Sequence, residues 1–363
     1  MATIYESLLL ELKKGEPLAL ATVVAIKGSS PQIPGASAIF SRKGLLTGTV
    51  GGGLLEATAH SMALQAIQEK TSLLTTISMT GEDVLSEEEA ICGGEAKLLI
   101  DTETEHHLDT FKALEESLDQ RKPGVLVTSI QGLDKDRVQV SRQWIKKIQI
   151  HGEDKEEFNQ HFYAPLKESF RTGTPQLLRS EEKAAGPTGK EDLLFLEPLF
   201  PPSHLVIAGA GHIGQALAHL GVLLDFKVSV MDDRVEWANA ENLPEVNEII
   251  VGDIGKTLRN FKLSEDSYVV IVTRGHKHDA EALRACIASE AAYIGMIGSA
   301  HKTRIMRDKF LEKGWTTAVQ WDRIHAPVGL EIQSKTVQEI AISIAAELVL
   351  IRNTIQSQSK EQA

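Results

Sequence analysis

"HLVIAGAGHIGQALA", residues His204 to Ala218, decides how the second half of this chain folds. An apolar run ends in Gly209, Gly211 and Gly214, the spacing G-x-G-x-x-G, and a helical pattern follows at once. The first glycine allows a tight turn, the second lets main chain approach a phosphate, and the third lets helix and sheet pack closely. A helix start there offers free N–H groups and the positive end of its dipole to an anion, with His212 beside them. Asp232 closes the next apolar run at about the 20-residue spacing of a ribose-binding acid. Asp233 and Arg234 follow it, and Arg234 would equally suit a 2′-phosphate, so both forms of NAD(P) are open here.

Outward from this stretch the sequence alternates. "KVSVM", "EIIVG", "YVVIVT" and "YIGMI" read as strands with helical segments among them, the rhythm of an open parallel sheet with helices on both faces. "TRGHKHD" reads as a loop carrying Arg274, His276, Lys277, His278 and Asp279. "IGSAHKTR" places Gly298, Ser299, Lys302 and Arg304 at a helix start, and "HAPVGLEI" adds His325 and Pro327. Together they give the rim an anion-binding composition. His276, His278 and Asp279 lack a clear third ligand of metal-site spacing.

The chain of 363 residues carries a formal net charge of -12, with 42% hydrophobic and 24% charged residues. That balance predicts two globular domains and argues against nucleic-acid binding. "IAISIAAELVLI" is too short and too interrupted, at Glu347, to span a membrane. Two distant cysteines, Cys92 and Cys286, and an N-terminus without a basic signal region predict a cytoplasmic protein.

The first half carries a second glycine loop, "TVGGGLLEA", from Thr49 to Ala57. Gly51, Gly52 and Gly53 lie between a strand and a helix, so their N–H groups face an incoming ligand, and Glu56 falls in the first helical turn. Cys92 precedes Gly93 and Gly94, where missing side chains expose the sulfur. It reads either as a thiolate for a soft metal such as molybdenum or for a persulfide, or as an inert buried thiol. Residues 143–190 read as polar and irregular. "LEPLFPPSH" reads as a stiff connector, which sets domain expectations of 1–197 and 203–363.

These blocks resemble the XdhC/CoxI family, the xanthine dehydrogenase accessory factors. The resemblance rests on "GSSPQIPGA" (Gly28 to Ala36), "GTVGGGLLEA" (Gly48 to Ala57) and "CGG" (Cys92 to Gly94). In the second half it rests on "GAGHIGQALA", "DDR", "YIGMIGSAHK", "PVGLEI" and "EIAISIAAELV". The sequence departs from the family pattern at Arg274, where a histidine is common, and at Gln333 and Val337.

The resemblance implies an α/β chain: an N-terminal mixed α/β domain of XdhC/CoxI type, then a C-terminal Rossmann-like parallel-sheet domain. It also implies a maturation factor, with no catalytic residues of its own, that binds the molybdenum cofactor as molybdopterin or its dinucleotide form. Such a chaperone protects or assists cofactor sulfuration with a cysteine desulfurase. It then inserts the cofactor into xanthine dehydrogenase or a related molybdenum hydroxylase, and self-associates as a homo-oligomer. On this reading Gly209, Gly211, His212, Gly214, Asp232, Arg274, Gly298 and Ser299 serve the phosphate or nucleotide end. Gly51, Gly52, Gly53 and Cys92 then face the pterin and metal end. The rival reading is an NAD(P)-dependent oxidoreductase with His276 or His278 as proton donor, which leaves the first glycine loop and Cys92 unused. A ligand-sensing Rossmann module is the third.

Overall fold

The computed structural model describes residues 3–28, 32–78, 94–134, 136–151, 160–179 and 192–361, which form two compact units meeting at Pro201 and Pro202 in the chain. The strands of the first unit are β1 (Leu18–Lys27), β2 (Ser37–Ser41), β3 (Gly44–Gly48), β4 (Leu73–Ser78) and β5 (Glu95–Asp101). They continue with β6 (Gly124–Asp134), β7 (Arg137–Lys146), β8 (Gln176–Arg179) and β9 (Leu193–Leu199). The helices are α1 (Ile4–Leu12), α2 (Gly53–Glu69), α3 (Leu108–Asp119), α4 (Lys147–His151) and α5 (Gln160–Thr172).

The strands form one nine-stranded sheet of order β3-β2-β1-β5-β4-β7-β6-β9-β8. The β4–β7 joint is a single pair, Leu73 with Arg137, whereas β6 and β7 pair along most of their length. β1 is apolar from Leu18 to Ile26 except for Thr22, because both of its faces are covered. Ala19, Ala21 and Val23 pack in the cluster that includes α2, and Leu18 and Leu20 in the cluster with α1 and α3.

Two expectations change here. The stretch read as irregular contains α4, α5 and β8 among its described residues. Phe162, Tyr163, Leu166 and Phe170 of α5 form an apolar stripe against Val125, Val127 and Leu196, but its polar neighbours and Pro165 blur the helical period. The proline connector is also shorter than read, because β9 passes through Pro198. That proline pairs with Val125 beyond the end of short β8, an edge position where a missing N–H costs the ladder nothing.

The second unit runs β10 (His204–Ala208), α6 (His212–Leu223), β11 (Lys227–Asp232), β12 (Glu248–Val251), α7 (Ile254–Asn260) and β13 (Ser267–Ile271). It continues with α8 (His276–Cys286), β14 (Tyr293–Met296), α9 (Ala300–Glu312), α10 (Ala318–Asp322), β15 (Ile324–His325) and α11 (Val337–Glu361). Its six strands pair in parallel in the order β12-β11-β10-β13-β14-β15. Every residue of β10 is buried, as a strand covered on both faces requires. Leu205 and Ile207 face the cluster with α6 and α11, while Val206 and Ala208 face the one with α7, α8 and α9. The chain leaves β10 toward β11 on one side and returns to β13 on the other. The crevice between β10 and β13 is the switch point where ligands bind in such sheets.

The first unit buries an ion pair and a carboxyl. Arg142 pairs with Asp101, both nearly inaccessible, and Asp101 also accepts from Ser72 Oγ and the Glu103 N–H. Tyr5 Oη donates to Glu197 Oε2 at 2.5 Å. Burial pushes the Glu197 carboxyl up from 4.5 to about 7, against the pull of the Tyr5 hydrogen bond and the Arg142 charge. A raised acid binds its proton more readily folded than unfolded. Stability is therefore fully present below about pH 4.5 and declines through about pH 7, by a total on the order of 3 kcal/mol. Glu197→Gln keeps an acceptor for Tyr5 and removes the charge. Its denaturant midpoint should exceed that of the parent at pH 8 and approach it at pH 5. Parallel pH profiles would show that Glu197 is ionised at no cost.

Candidate functional site

The glycine loop between β10 and α6 is shaped by contacts that no side chain could share. A Cβ on Gly209, whose φ is +122°, would lie 2.4 Å from the Val272 carbonyl oxygen. One on Gly214 would lie 1.9 Å from the Gly209 carbonyl oxygen. Gly211 differs: it is the N-cap of α6, has no side-chain cap bond, and a Cβ there would meet nothing within 4 Å. Two glycines are thus consumed by packing, and the third leaves open space before a bare helix start.

Asp232 lies at the end of β11, 1% exposed. Its Oδ2 accepts from the Ala210 N–H at 2.8 Å, which pins the glycine loop. Arg234 takes the rest: its N–H and Nε donate to Oδ1 at 3.0 and 2.8 Å, and its Nη2 donates to Oδ2 at 2.8 Å. Burial works against this charge, but the hydrogen bonds from Arg234 and Ala210 hold the carboxyl below its usual range. Asp232 and Arg234 therefore meet each other. The Arg234 guanidinium also lies 5.1 Å over Trp237, whose ring makes an edge contact with His212 at 4.9 Å. Arg274 Nη2 donates to Asp233 Oδ2 at 2.9 Å. Gly209, Gly211, His212, Gly214, Asp232 and Arg274 thus gather around one crevice edge. Trp237, which no motif in the sequence marks, joins them through its stacking.

His276 to Asp279, read as a loop, form the first turn of α8. Its polar residues resemble a loop in sequence, but a helix start tolerates them. Asp279 is buried and accepts from Thr273 Oγ1 at 2.5 Å, and its burial raises its pKa. Among the described residues no group of His, Cys, Asp and Glu is arranged to hold a metal. Gly298 and Ser299 follow β14, one strand farther along the sheet, and Ser299 caps α9 by accepting from the Lys302 N–H. Beside Gly298 sits Thr303, whose Oγ1 is buried without a hydrogen-bond partner.

In the first unit, Gly52 caps α2 without a side-chain bond, and Gly53 adopts a φ of +58°. Thr49 Oγ1 accepts from the Gly51 N–H and donates to Glu56 Oε2 at 2.9 Å. Cys92 lies outside the described residues, as do Ser29 and Ser30. Cys286 is fully buried in α8, and burial pushes its thiol up to about 12.

Two family models match the chain, that of the XdhC Rossmann domain over residues 205–348 and that of the XdhC and CoxI family over residues 11–78. The chain belongs to the XdhC and CoxI family.

Among relatives of this XdhC chain, a Bacillus subtilis protein named as a probable xanthine dehydrogenase subunit is 25% identical over 346 residues, 95% of this chain and 96% of that one. The uncharacterized protein YqeB of Escherichia coli is 34% identical over 150 residues, 41% of this chain and 27% of that one. A Bacillus halodurans crystal structure, described as a xanthine dehydrogenase, superposes with a TM-score of 0.74. It covers 96% of this chain and 95% of that one at 24% identity, a likeness of fold. No described helix is long and apolar enough to cross a membrane.

The XdhC Rossmann loop makes opposite demands at neighbouring glycines. Gly214→Ala should destabilise the fold by about 3 kcal/mol, since main-chain carbonyl cannot move aside cheaply. Gly211→Ala should cost about 1 kcal/mol or less, since its Cβ enters open space. Chemical denaturation of both variants measures the difference. Equal costs would mean that the loop is not packed as described.

Proposed function

We propose that this chain is an accessory factor for xanthine dehydrogenase or a related molybdenum hydroxylase, binding the molybdenum cofactor and handing it to that client. Protection or assistance of cofactor sulfuration with a cysteine desulfurase, and self-association as a homo-oligomer, belong to the same reading. Membership of the XdhC family supports the accessory role, as does the name carried by the Bacillus subtilis relative.

The observation that carries the cofactor reading over the nicotinamide one is the occupied carboxylate of Asp232. An NAD-type site uses that acid for ribose hydroxyls. Here all its strong acceptor directions are met by Ala210 and Arg234, and Arg234 is spent on it in turn. The start of α6, with Gly211 unencumbered, still suits a phosphate, which needs main-chain N–H groups and no ribose acid. These residues fit the phosphate-bearing end of the cofactor. When bound, the cofactor supplies the metal centre that the client uses for hydroxylation. The chain's own residues hold the phosphate and orient it through the loop that Asp232 pins.

Anaerobic equilibrium binding of isolated molybdenum cofactor, with NAD and NADP as competitors, tests this. Retention that neither nucleotide displaces, weakened at least tenfold by Gly211→Ala, is the expected result. Nicotinamide binding without cofactor retention would overturn it.

A further inference from the structure

A carboxylate has about four lone-pair positions, and four hydrogen bonds end on Asp232. Oδ1 accepts from the Arg234 N–H and Nε, and Oδ2 from the Ala210 N–H and Arg234 Nη2. No position is left for a further donor. A ribose that offers its hydroxyls to this acid, as in a dinucleotide site, must first lift Arg234 away.

More than that acid keeps Arg234 in place. Its guanidinium lies over Trp237, which packs on the cluster with α6 and α11, and only 21% of its side chain is exposed. Its Nε is also 4.0 Å from Asp233 Oδ1, and Asp233 Oδ2 accepts from Arg274 Nη2. Asp232, Arg234, Asp233 and Arg274 thus make one alternating chain of charges. Asp233 follows β11 and Arg274 lies beyond β13, the strands on either side of β10. The charges therefore join the two flanks of the strand that carries the glycine loop, on the side of the crevice that a ribose uses in dinucleotide folds. One exposed pair holds loosely, but a network braced by an aromatic ring keeps its geometry.

We infer that Arg234 and Arg274 set the specificity of this crevice: they close it to nucleosides and leave it to ligands that present a phosphate with no ribose beside it. The network spares the start of α6, where Gly211 has no side-chain cap bond and a Cβ would meet nothing within 4 Å. The inference deepens the accessory-factor reading and rests on it for the phosphate seat. On that reading the cofactor form seated here ends in a phosphate monoester, and the dinucleotide form is turned away.

Equilibrium binding of inorganic pyrophosphate, ADP and 2′,3′-dideoxy-ADP to the full chain tests it. Pyrophosphate should bind, and ADP should bind no more tightly than pyrophosphate or than its dideoxy analogue. Arg234→Ala should create a preference of at least about tenfold for ADP over the dideoxy analogue, because Asp232 regains one acceptor position on each oxygen. Adding Arg274→Ala should raise ADP affinity further. A parent chain that binds ADP tenfold more tightly than either comparison ligand would overturn the inference, and that result requires no variant to fold. So would an Arg234→Ala chain that keeps its thermal transition and gains no preference, or a parent that binds none of the three. Molybdenum cofactor retained by a chain that reads ribose would overturn this inference and leave the accessory-factor reading standing. A ribose barrier that Arg234→Ala lifts, in a chain that retains no cofactor, would do the reverse.

Discussion

The buried carboxylate of Asp232 is the constraint around which the rim of the Rossmann unit is arranged. A charge at the end of β11 is costly unless every strong acceptor direction is met. Meeting it draws the Ala210 N–H inward, which fixes the glycine loop, and bends Arg234 back over its own strand end. With Arg234 in that place Trp237 lies beneath the guanidinium, and His212 lies against Trp237. One carboxylate thus sets loop, cation and aromatic ring together. The neighbouring Asp233 does the same for Arg274 on a smaller scale.

The two glycine loops look alike in sequence and differ in chemistry. At α6 the acid sits on the next strand and is satisfied, so the helix start is bare. At α2 the acid sits on the helix itself, partly satisfied by Thr49, and colours the opening with negative charge. Gly52 and Gly53 keep that opening clear, whereas Gly209 and Gly214 are used up by close packing. A glycine count would class the loops together; the position of one carboxylate separates them.

The Rossmann unit was legible because its parallel strands other than two-residue β15 are short apolar runs, and Gly209 to Gly214 and Asp232 mark where the first two end. What Asp232 touches was not legible, since the order Asp-Asp-Arg fits a ribose, a phosphate or an internal pair equally well. α5 stayed hidden because its apolar stripe is diluted by polar neighbours and interrupted by Pro165. Glu56 was read in the first turn of α2, but nothing in the sequence singled out His60 one turn on, and no local pattern reveals that Phe40, from another element, backs its imidazole. Long-range contact supplies that information, and spacing along one helix does not.

The bare start of α6 also bears on how salt acts on a bound anion. Its seat is main chain, and its nearby arginines, Arg234 and Arg274, are paired with Asp232 and Asp233. A phosphate-bearing ligand is therefore held at this loop by main-chain N–H groups and a helix dipole, neither of which is a mobile side-chain cation. Affinity at this loop should fall less steeply with ionic strength than at phosphate sites built from lysine and arginine.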